Sequence, residues 1–324
     1  MKTNEVIQAW KSILSGRRPS LAIEITRECP LRCPGCYAYE EGHVGGMNLR
    51  QLQDKRGEEL IEGVLALVDE YQPLHLSIVG GDPLVRYREV TALLPQLSER
   101  GIYVQVVTSA FRQIPAEWAR IERLNIVVSI DGQQPEHDQR RKPATYARIL
   151  ENIRGHQVIV HCTITGQMMK RKNYLQEFVA FWSEKPEIKK IWMSMFTPQI
   201  GATSPEILTR QERMEAAEEL FRLRCIYPRL DMPEALIREF LQPPVSPKEC
   251  IFAQTTHTIS ADLKSKITPC QFGGNPDCSQ CGCVASMGLA AVGNYKLGLG
   301  VTAGAVYKAS TSIGKALQRK KRAA

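Results

Sequence analysis

Hydrophobic and polar positions along this chain switch repeatedly between two periods. Residues 4–15 place Val6, Ile7, Trp10, Ile13 and Leu14 at helical spacing, with Gly16 as a stop. Residues 21–26 are short, apolar and bounded by charge, the pattern of a buried strand. Helical spacing returns over 49–71 (Leu52, Leu60, Ile61, Val64, Leu67, Val68), and a strand over 75–79 ends in Gly80-Gly81-Asp82-Pro83. The alternation continues with helix 86–100, strand 102–107, helix 116–124, strand 125–130 and helix 145–154. Strand 157–165, helix 173–183, strand 190–196 and a long helix over 207–224 complete it. Six strand-then-helix units predict an α/β fold with a parallel sheet and right-handed crossovers. Each predicted strand ends in small or polar residues, so one rim of the sheet is expected to carry the chemistry.

Pro243, Pro244 and Pro247 mark a linker, which divides the chain. The expected units are an amphipathic helix over 1–18, the α/β body over 19–242, a cysteine-rich unit over 243–300 and a basic, solvated tail over 301–324. Within the third unit, residues 256–260 and 266–268 are expected to form a small hairpin around Asp262.

Composition changes this picture little: 324 residues, 43% hydrophobic and 23% charged, describe an ordinary globular chain. The charge adds more. The formal net charge is +8, and cationic residues crowd at Lys11, Arg17 and Arg18 and again from Lys315 to Arg322. Basic clusters of this kind suit an anionic surface. No basic motif is interleaved with aromatics, so nucleic acid is not an expected partner. The first 14 residues lack the apolar stretch of a secretory signal, and the nearest candidate span, 287–306, holds Asn294 and Lys296. A cytoplasmic protein is expected, with peripheral contact at the inner membrane surface. Ten cysteines then argue for metal ligation in a reducing compartment.

Three of those cysteines stand in Cys29-Pro30-Leu31-Arg32-Cys33-Pro34-Gly35-Cys36, directly after the first predicted strand. The prolines discourage a helix, and Gly35 permits a tight wrap. A [4Fe–4S] cluster has four irons, so three thiolates leave one iron open for chemistry. A zinc loop completed by His43 is the competing reading. Farther on, Cys250, Cys270, Cys278, Cys281 and Cys283 are enough for a second cluster with one thiol to spare. Cys250 and Cys283 compete for its fourth position, and structural zinc is the rival there too. Cys162 and Cys225 are expected in the core.

The C-x3-C-x2-C loop resembles the signature of the radical S-adenosylmethionine (SAM) superfamily. The cysteine-rich end resembles the SPASM and Twitch extensions of that family. The resemblance implies a partial (β/α)6 barrel and a [4Fe–4S] cluster on Cys29, Cys33 and Cys36 with SAM at its open iron. It also implies reductive cleavage of SAM to a 5′-deoxyadenosyl radical, and an external one-electron reductant of flavodoxin or ferredoxin type. Gly80, Gly81, Asp82 and Pro83 match the family's Gly-Gly-Glu-Pro motif, with Asp in place of Glu, and would contact the SAM amino group. Ser129, Asp131 and Arg140 would lie near SAM, with Arg140 forking onto its carboxylate. Thr108 is a rim residue, and Tyr37 is the candidate to cover the adenine, since Gly35 stands where the family often has an aromatic residue. The second cluster would be Twitch-like. The order of motifs is also similar to radical SAM proteins of hopanoid biosynthesis, which implies a lipid substrate. A ribosomal-peptide maturase and a non-enzymatic iron–sulfur or zinc protein remain open.

Overall fold

Seven short apolar runs lie side by side in one parallel sheet. The structure is a computed structural model and describes residues 3–143, 146–298 and 300–323. In chain order the elements are α1 (Thr3–Leu14), β1 (Ser20–Glu24), α2 (Gly57–Tyr71), β2 (His75–Val79), α3 (Tyr87–Glu99), β3 (Tyr103–Thr108) and β4 (Leu124–Ser129). There follow α4 (Glu136–Arg140), α5 (Tyr146–Asn152), β5 (Val158–Ile164), α6 (Gly166–Met169), α7 (Tyr174–Ser183) and β6 (Ile188–Met195). The last part holds α8 (Arg210–Ile226), α9 (Glu234–Glu239), α10 (Ile251–Thr255), β7 (Thr256–Ile259), α11 (Val284–Asn294), β8 (Lys296–Gly298), β9 (Val301–Thr302) and α12 (Ala303–Ala323).

The sheet order is β6-β5-β4-β3-β2-β1-β7, and every neighbouring pair is parallel. β1 therefore has a partner on each side: Ile23 stands level with Ile78 of β2 and with Ile259 of β7. Both faces of this strand are also covered, so Leu21, Ala22 and Ile23 are all buried and its sequence does not alternate. Helices cover the sheet through Leu60, Val64 and Leu67 of α2, Val90, Leu94 and Leu97 of α3, and Phe178 and Trp182 of α7, all in one core.

The six predicted strands are all present in the predicted order. The sheet does not close, since β6 and β7 are its two edges. The predicted hairpin around Asp262 has a larger role than expected. Its turn is present, with Asp262 Oδ1 accepting from Lys264 N (3.0 Å) and Ser265 N (2.8 Å), but its first arm is β7, the seventh strand of the main sheet.

Two predicted helices are shorter than their patterns. Residues 116–124 give only a 3-10 turn over Ala116–Arg120. The 49–71 pattern splits into a 3-10 turn at Leu49–Gln51 and α2, with Asp54 between them reaching back to the loop after β1. Thr145, the start of another predicted helix, lies outside the described residues.

The expected solvated tail is instead helix α12, packed on α1. A Cβ at Gly314 would stand 2.6 Å from both Ile13 O and Gly16 N, so glycine is what lets the two backbones meet. Of the predicted apolar face of α1, Ile13 is buried while Ile7 and Leu14 are exposed. The side chains of Val6, Lys315 and residues 318–324 lie outside the described residues. No helix among the described residues is long and apolar enough to cross a membrane.

Candidate functional site

The cysteine loop leaves the sheet at the C-terminal end of β1, and buried polar groups hold its stem. Thr26 Oγ1 donates to Asp54 Oδ2 at 2.6 Å, and Arg27 N donates to the same oxygen at 3.2 Å. Arg86 pairs with Asp54 at 2.8 Å and with Glu28 at 3.3 Å. Burial alone would raise the Asp54 carboxyl, but Thr26, Arg27 and Arg86 together hold it below the usual carboxylate range. Neither Asp54 nor Arg86 was singled out by sequence reasoning. The only local signal was an acidic residue inside a helical pattern.

Gly80 and Gly81 press on this stem. Both have positive φ, +79° and +50°. A Cβ on Gly80 would stand 2.2 Å from Glu24 Cβ, and one on Gly81 2.2 Å from Glu28 O. The missing side chain of Gly80 leaves room for Glu24 at the end of β1, and that of Gly81 for the backbone of the loop stem. Asp82 also turns inward. It is buried, with Oδ1 accepting from Leu84 N (3.0 Å) and Thr108 Oγ1 (2.6 Å), and Oδ2 accepting from Ser109 N (2.8 Å) and Ser109 Oγ (2.5 Å). Asp82 thus braces the ends of β2 and β3 instead of offering a free carboxylate, and Thr108 is committed to it. Pro83 is buried at the start of the 3-10 turn that leads into α3.

On the other side the loop meets an ionic network. Arg140 forks onto Glu206, Nε to Oε1 at 2.6 Å and Nη2 to Oε2 at 3.1 Å, and also pairs with buried Asp131. Arg141 Nε reaches Asp131 at 2.8 Å, and Thr163 N donates to its other oxygen at 2.9 Å. Burial pushes Asp131 up, and the two guanidiniums more than reverse this and hold it well below the usual range. Glu206 stands 3.0 Å from where a Gly35 Cβ would be, and Arg32 N donates to Lys142 O at 2.5 Å, so the network abuts the loop. Ser129 ends β4 and is buried beside it. Arg140 and Asp131 are brought together as expected, but the fork is closed on Glu206, which sequence reasoning missed along with Arg141.

Cys29, Cys33 and Cys36 are each half-buried. Leu31 N approaches Cys29 Sγ at 3.4 Å. Burial pushes the Cys29 thiol up to about 12, with Asp82, Cys33 and Cys36 adding to it. Cys36 is likewise raised by burial and then by Cys33. As thiolates the three would repel one another, and a group that brought its own positive charge would relieve this and leave one metal position open; among the described residues no three such side chains already stand close enough to hold a metal ion. His43 cannot complete a zinc loop. Its Nε2 faces Glu24 Oε1 at 2.7 Å and its Nδ1 faces Phe272 O at 2.9 Å, so both nitrogens are used.

The C-terminal thiols gather elsewhere on the same rim. Cys250, Cys270, Cys278, Cys281 and Cys283 all line one small pocket, with Thr197, Phe252 and Phe272 among its walls. Met195 N donates to Gly282 O at 2.9 Å, which ties Cys281 and Cys283 to the end of β6. Buried Arg213 clamps the same segment through the carbonyls of Gln280 (3.0 Å) and Cys281 (2.8 Å). Tyr37 bridges the two groups. Its ring packs edge-on against Phe272 at 5.2 Å between centroids and stands 5.6 Å from that of His43. This is a contact with the cysteine-rich segment. Of the two remaining cysteines, Cys162 is in the core as expected, but Cys225 is exposed.

A second cleft opens beside the loop, lined by Pro30, Leu31, Ser109, Phe111, Arg148 and Ile149. It is apolar except for Ser109 and the exposed Arg148.

The chain is 31% identical to PqqA peptide cyclase of Rhodopseudomonas palustris over 91 residues, 28% of this chain and 22% of that protein. It is 32% identical to 7-carboxy-7-deazaguanine synthase of Hyperthermus butylicus over 106 residues, 31% of this chain and 39% of that protein. The matches thus span well under half the length of these curated relatives. Among solved structures, Streptococcus suis SuiB bound to S-adenosylmethionine shares the fold with TM-score 0.55 and 15% identity, over 80% of this chain and 60% of that one. The anSMEcpe structure with bound AdoMet does so with TM-score 0.56 and 16% identity, over 78% and 74%. The model of the Radical SAM superfamily matches residues 23–181. That match begins on β1, takes in the cysteine loop and runs as far as α7, and over these residues the chain carries a radical SAM domain.

Proposed function

We propose that this chain is a radical SAM enzyme that modifies a peptide. The observation that carries the reading is the set of three thiols on one short loop at the C-terminal end of β1, with a buried polar stem and an ionic network on either side. When bound there, the cluster supplies an electron to SAM, and SAM supplies a radical able to attack an unreactive carbon. The protein's own task is positioning. Asp54 and Arg86 fix the stem of the loop, Gly80 and Gly81 let β2 approach it, and Asp82 holds Thr108 and Ser109 in place at the rim. Arg140 offers a guanidinium fork suited to the SAM carboxylate, which would displace Glu206 from it. The apolar cleft between Leu31 and Phe111 is where we place the substrate, with Arg148 suited to an anionic group on it. An external flavodoxin- or ferredoxin-type donor supplies the electron.

Support for a peptide comes from the relatives. Two curated matches are named PqqA peptide cyclase, one solved neighbour is SuiB bound to precursor peptide SuiA, and another is anSMEcpe bound to the Cp18Cys peptide. The lipid implied by the hopanoid resemblance has no counterpart among these names, so the peptide takes its place.

We also assign a second [4Fe–4S] cluster to the cavity of the C-terminal thiols. Cys250, Cys270, Cys278 and Cys281 are its ligands and Cys283 is the spare. Both sulfurs have a polar neighbour, the Gln271 amide at 3.2 Å from Cys283 and the Ser286 hydroxyl at 3.1 Å from Cys250, but Cys250 acts electrostatically on Cys270, Cys278 and Cys281 alike.

The test is anaerobic. The protein is reconstituted with iron and sulfide, reduced and given SAM, and 5′-deoxyadenosine is measured beside the Cys29→Ala/Cys33→Ala/Cys36→Ala variant. Product from the wild type alone, with iron for one cluster retained in the variant, is the expected result. Absence of product from wild type that has taken up iron would overturn the enzyme reading.

A further inference from the structure

The net charge of this protein is confined to one end of the chain. The whole sequence has 42 Lys and Arg against 34 Asp and Glu; residues 278–324 hold seven of the former and none of the latter, which leaves 35 against 34 elsewhere. That segment is α11, the β8–β9 hairpin and α12. It is also where large apolar side chains face outward. Tyr295 is 67% exposed, Val292 61%, Leu297 57%, Ile313 53%, Leu317 51% and Val301 44%.

These positions are not scattered. The packed side of α12 is given by Gly304, Tyr307, Ser310 and Gly314, all buried. Its outward side repeats half-buried Val306 and exposed Ala309, Ile313, Ala316 and Leu317 at spacings of three and four, a stripe of apolar residues left largely uncovered by the described residues. The hairpin before it presents Leu297 and Val301 on its two short strands, with Tyr295 at its base and exposed Lys296 between. A run of apolar side chains this exposed, in a segment without an acidic residue, marks a surface for something apolar edged with negative charge. Tyrosine, lysine and aliphatic residues on an amphipathic helix are the combination that settles at a lipid headgroup boundary.

We propose that α12 and the β8–β9 hairpin dock this protein on the face of an anionic lipid bilayer, without crossing it. The inference stands apart from the assigned reaction. It links to the site through α11, which begins directly after Cys283 and ends beside Tyr295.

The reconstituted full-length protein is tested by co-sedimentation with vesicles of phosphatidylcholine alone and of phosphatidylcholine carrying phosphatidylglycerol. Binding is expected to be about tenfold tighter on the anionic vesicles and to weaken as salt rises. Tyr295→Ser/Leu297→Ser/Val301→Ser should lose about tenfold in vesicle binding, through lost apolar burial, while keeping its iron and its 5′-deoxyadenosine production. Lys296→Gln/Lys308→Gln should reduce the preference for anionic vesicles. Equal binding to neutral and anionic vesicles would overturn the proposal. So would an unchanged triple variant whose binding is competed by duplex RNA, which would make the surface a polyanion site. Light scattering that shows a dimer dissolved by the triple substitution would overturn it as well, since the patch would then belong to a second copy.

Discussion

Glu24 Oε1 lies 2.7 Å from His43 Nε2 in a space closed to solvent, and the same carboxylate accepts from Ser260 Oγ at 2.6 Å. Phe272 O faces His43 Nδ1 and can only accept, so Nδ1 carries a proton; a second proton on Nε2 makes the ring a cation paired with Glu24. One imidazole thus joins the first strand, the end of the cysteine loop and the cysteine-rich segment. Burial alone would lower its pKa, but the hydrogen bond and charge of Glu24 and the Phe272 carbonyl outweigh this and raise it. A group whose folded pKa is raised gives its full stabilisation below the unfolded value, about 6.5 for histidine, and loses it as pH climbs through the folded value. His43→Ala should cost about 3–5 kcal/mol near neutral pH, because it leaves Glu24 buried without its counter-ion. Thermal melts of wild type and variant across mildly acidic to alkaline pH should converge as pH rises. A difference that grows with pH would mean the ring is neutral.

The glycines make a sharper statement. If Gly80 and Gly81 served only to admit SAM, enlarging them would weaken SAM binding and leave iron untouched. Their missing side-chain positions are instead filled by Glu24 and by the Glu28 carbonyl, both at 2.2 Å. Gly81→Ala must therefore push the loop stem outward, in a backbone conformation that alanine resists, at a cost of about 2–5 kcal/mol. The expected outcome is loss of iron at the first site together with SAM binding. Iron retained in full, with only the affinity for SAM reduced, would return these residues to the role the motif implied.

What could be read from the sequence, and what could not, divides along sequence distance. β1 to β6 were legible because each is a local apolar run with turn residues after it, and the cysteine loop because its three thiols share eight positions. β7 is four residues long, Thr-His-Thr-Ile, and gains its place only by pairing with β1 more than two hundred residues earlier. No local pattern reports that. The same holds for Asp54 and Glu206, ordinary polar residues until the fold brings them to the cysteine loop, and for Arg213, which it brings to the C-terminal cysteines. Asp82 was legible as important but not in its role, since its four hydrogen bonds go to Leu84, Thr108 and Ser109, two of them on the next strand end.

Arg140 tests the ionic network. Lysine would keep the charge beside Asp131 but lose the paired contact of the fork with both oxygens of Glu206. Arg140→Lys should retain the iron of both sites and lose about 1.5–3 kcal/mol of stability, the worth of charge-assisted hydrogen bonds. If the fork also receives the SAM carboxylate, equilibrium dialysis should show SAM bound about tenfold more weakly, from about 1.4 kcal/mol lost. Full SAM affinity in a destabilised variant would confine Arg140 to holding Glu206 and Asp131.

The five C-terminal thiols offer the cleanest separation, because only four can hold one cubane cluster. Burial pushes the Cys270 thiol up to about 12, with Cys281, Cys250 and Cys278 adding to it, and the Cys278 thiol up to about 11, with Cys281 and Cys250 adding to it. Cys250, Cys278 and Cys281 therefore all lie close enough to act on Cys270. Cys283 is raised by burial, then by Cys281 and Cys270, and its sulfur is already met by the Gln271 amide. In the background of Cys29→Ala/Cys33→Ala/Cys36→Ala, so that only the second site contributes, Cys250→Ser should lose most of the bound iron. Cys283→Ser should retain about four irons, one cubane, with an altered reduction potential from the lost neighbour. The opposite pattern would exchange the roles of the two cysteines. Equal loss from both variants would mean that the cavity takes a group other than a single four-thiolate cluster.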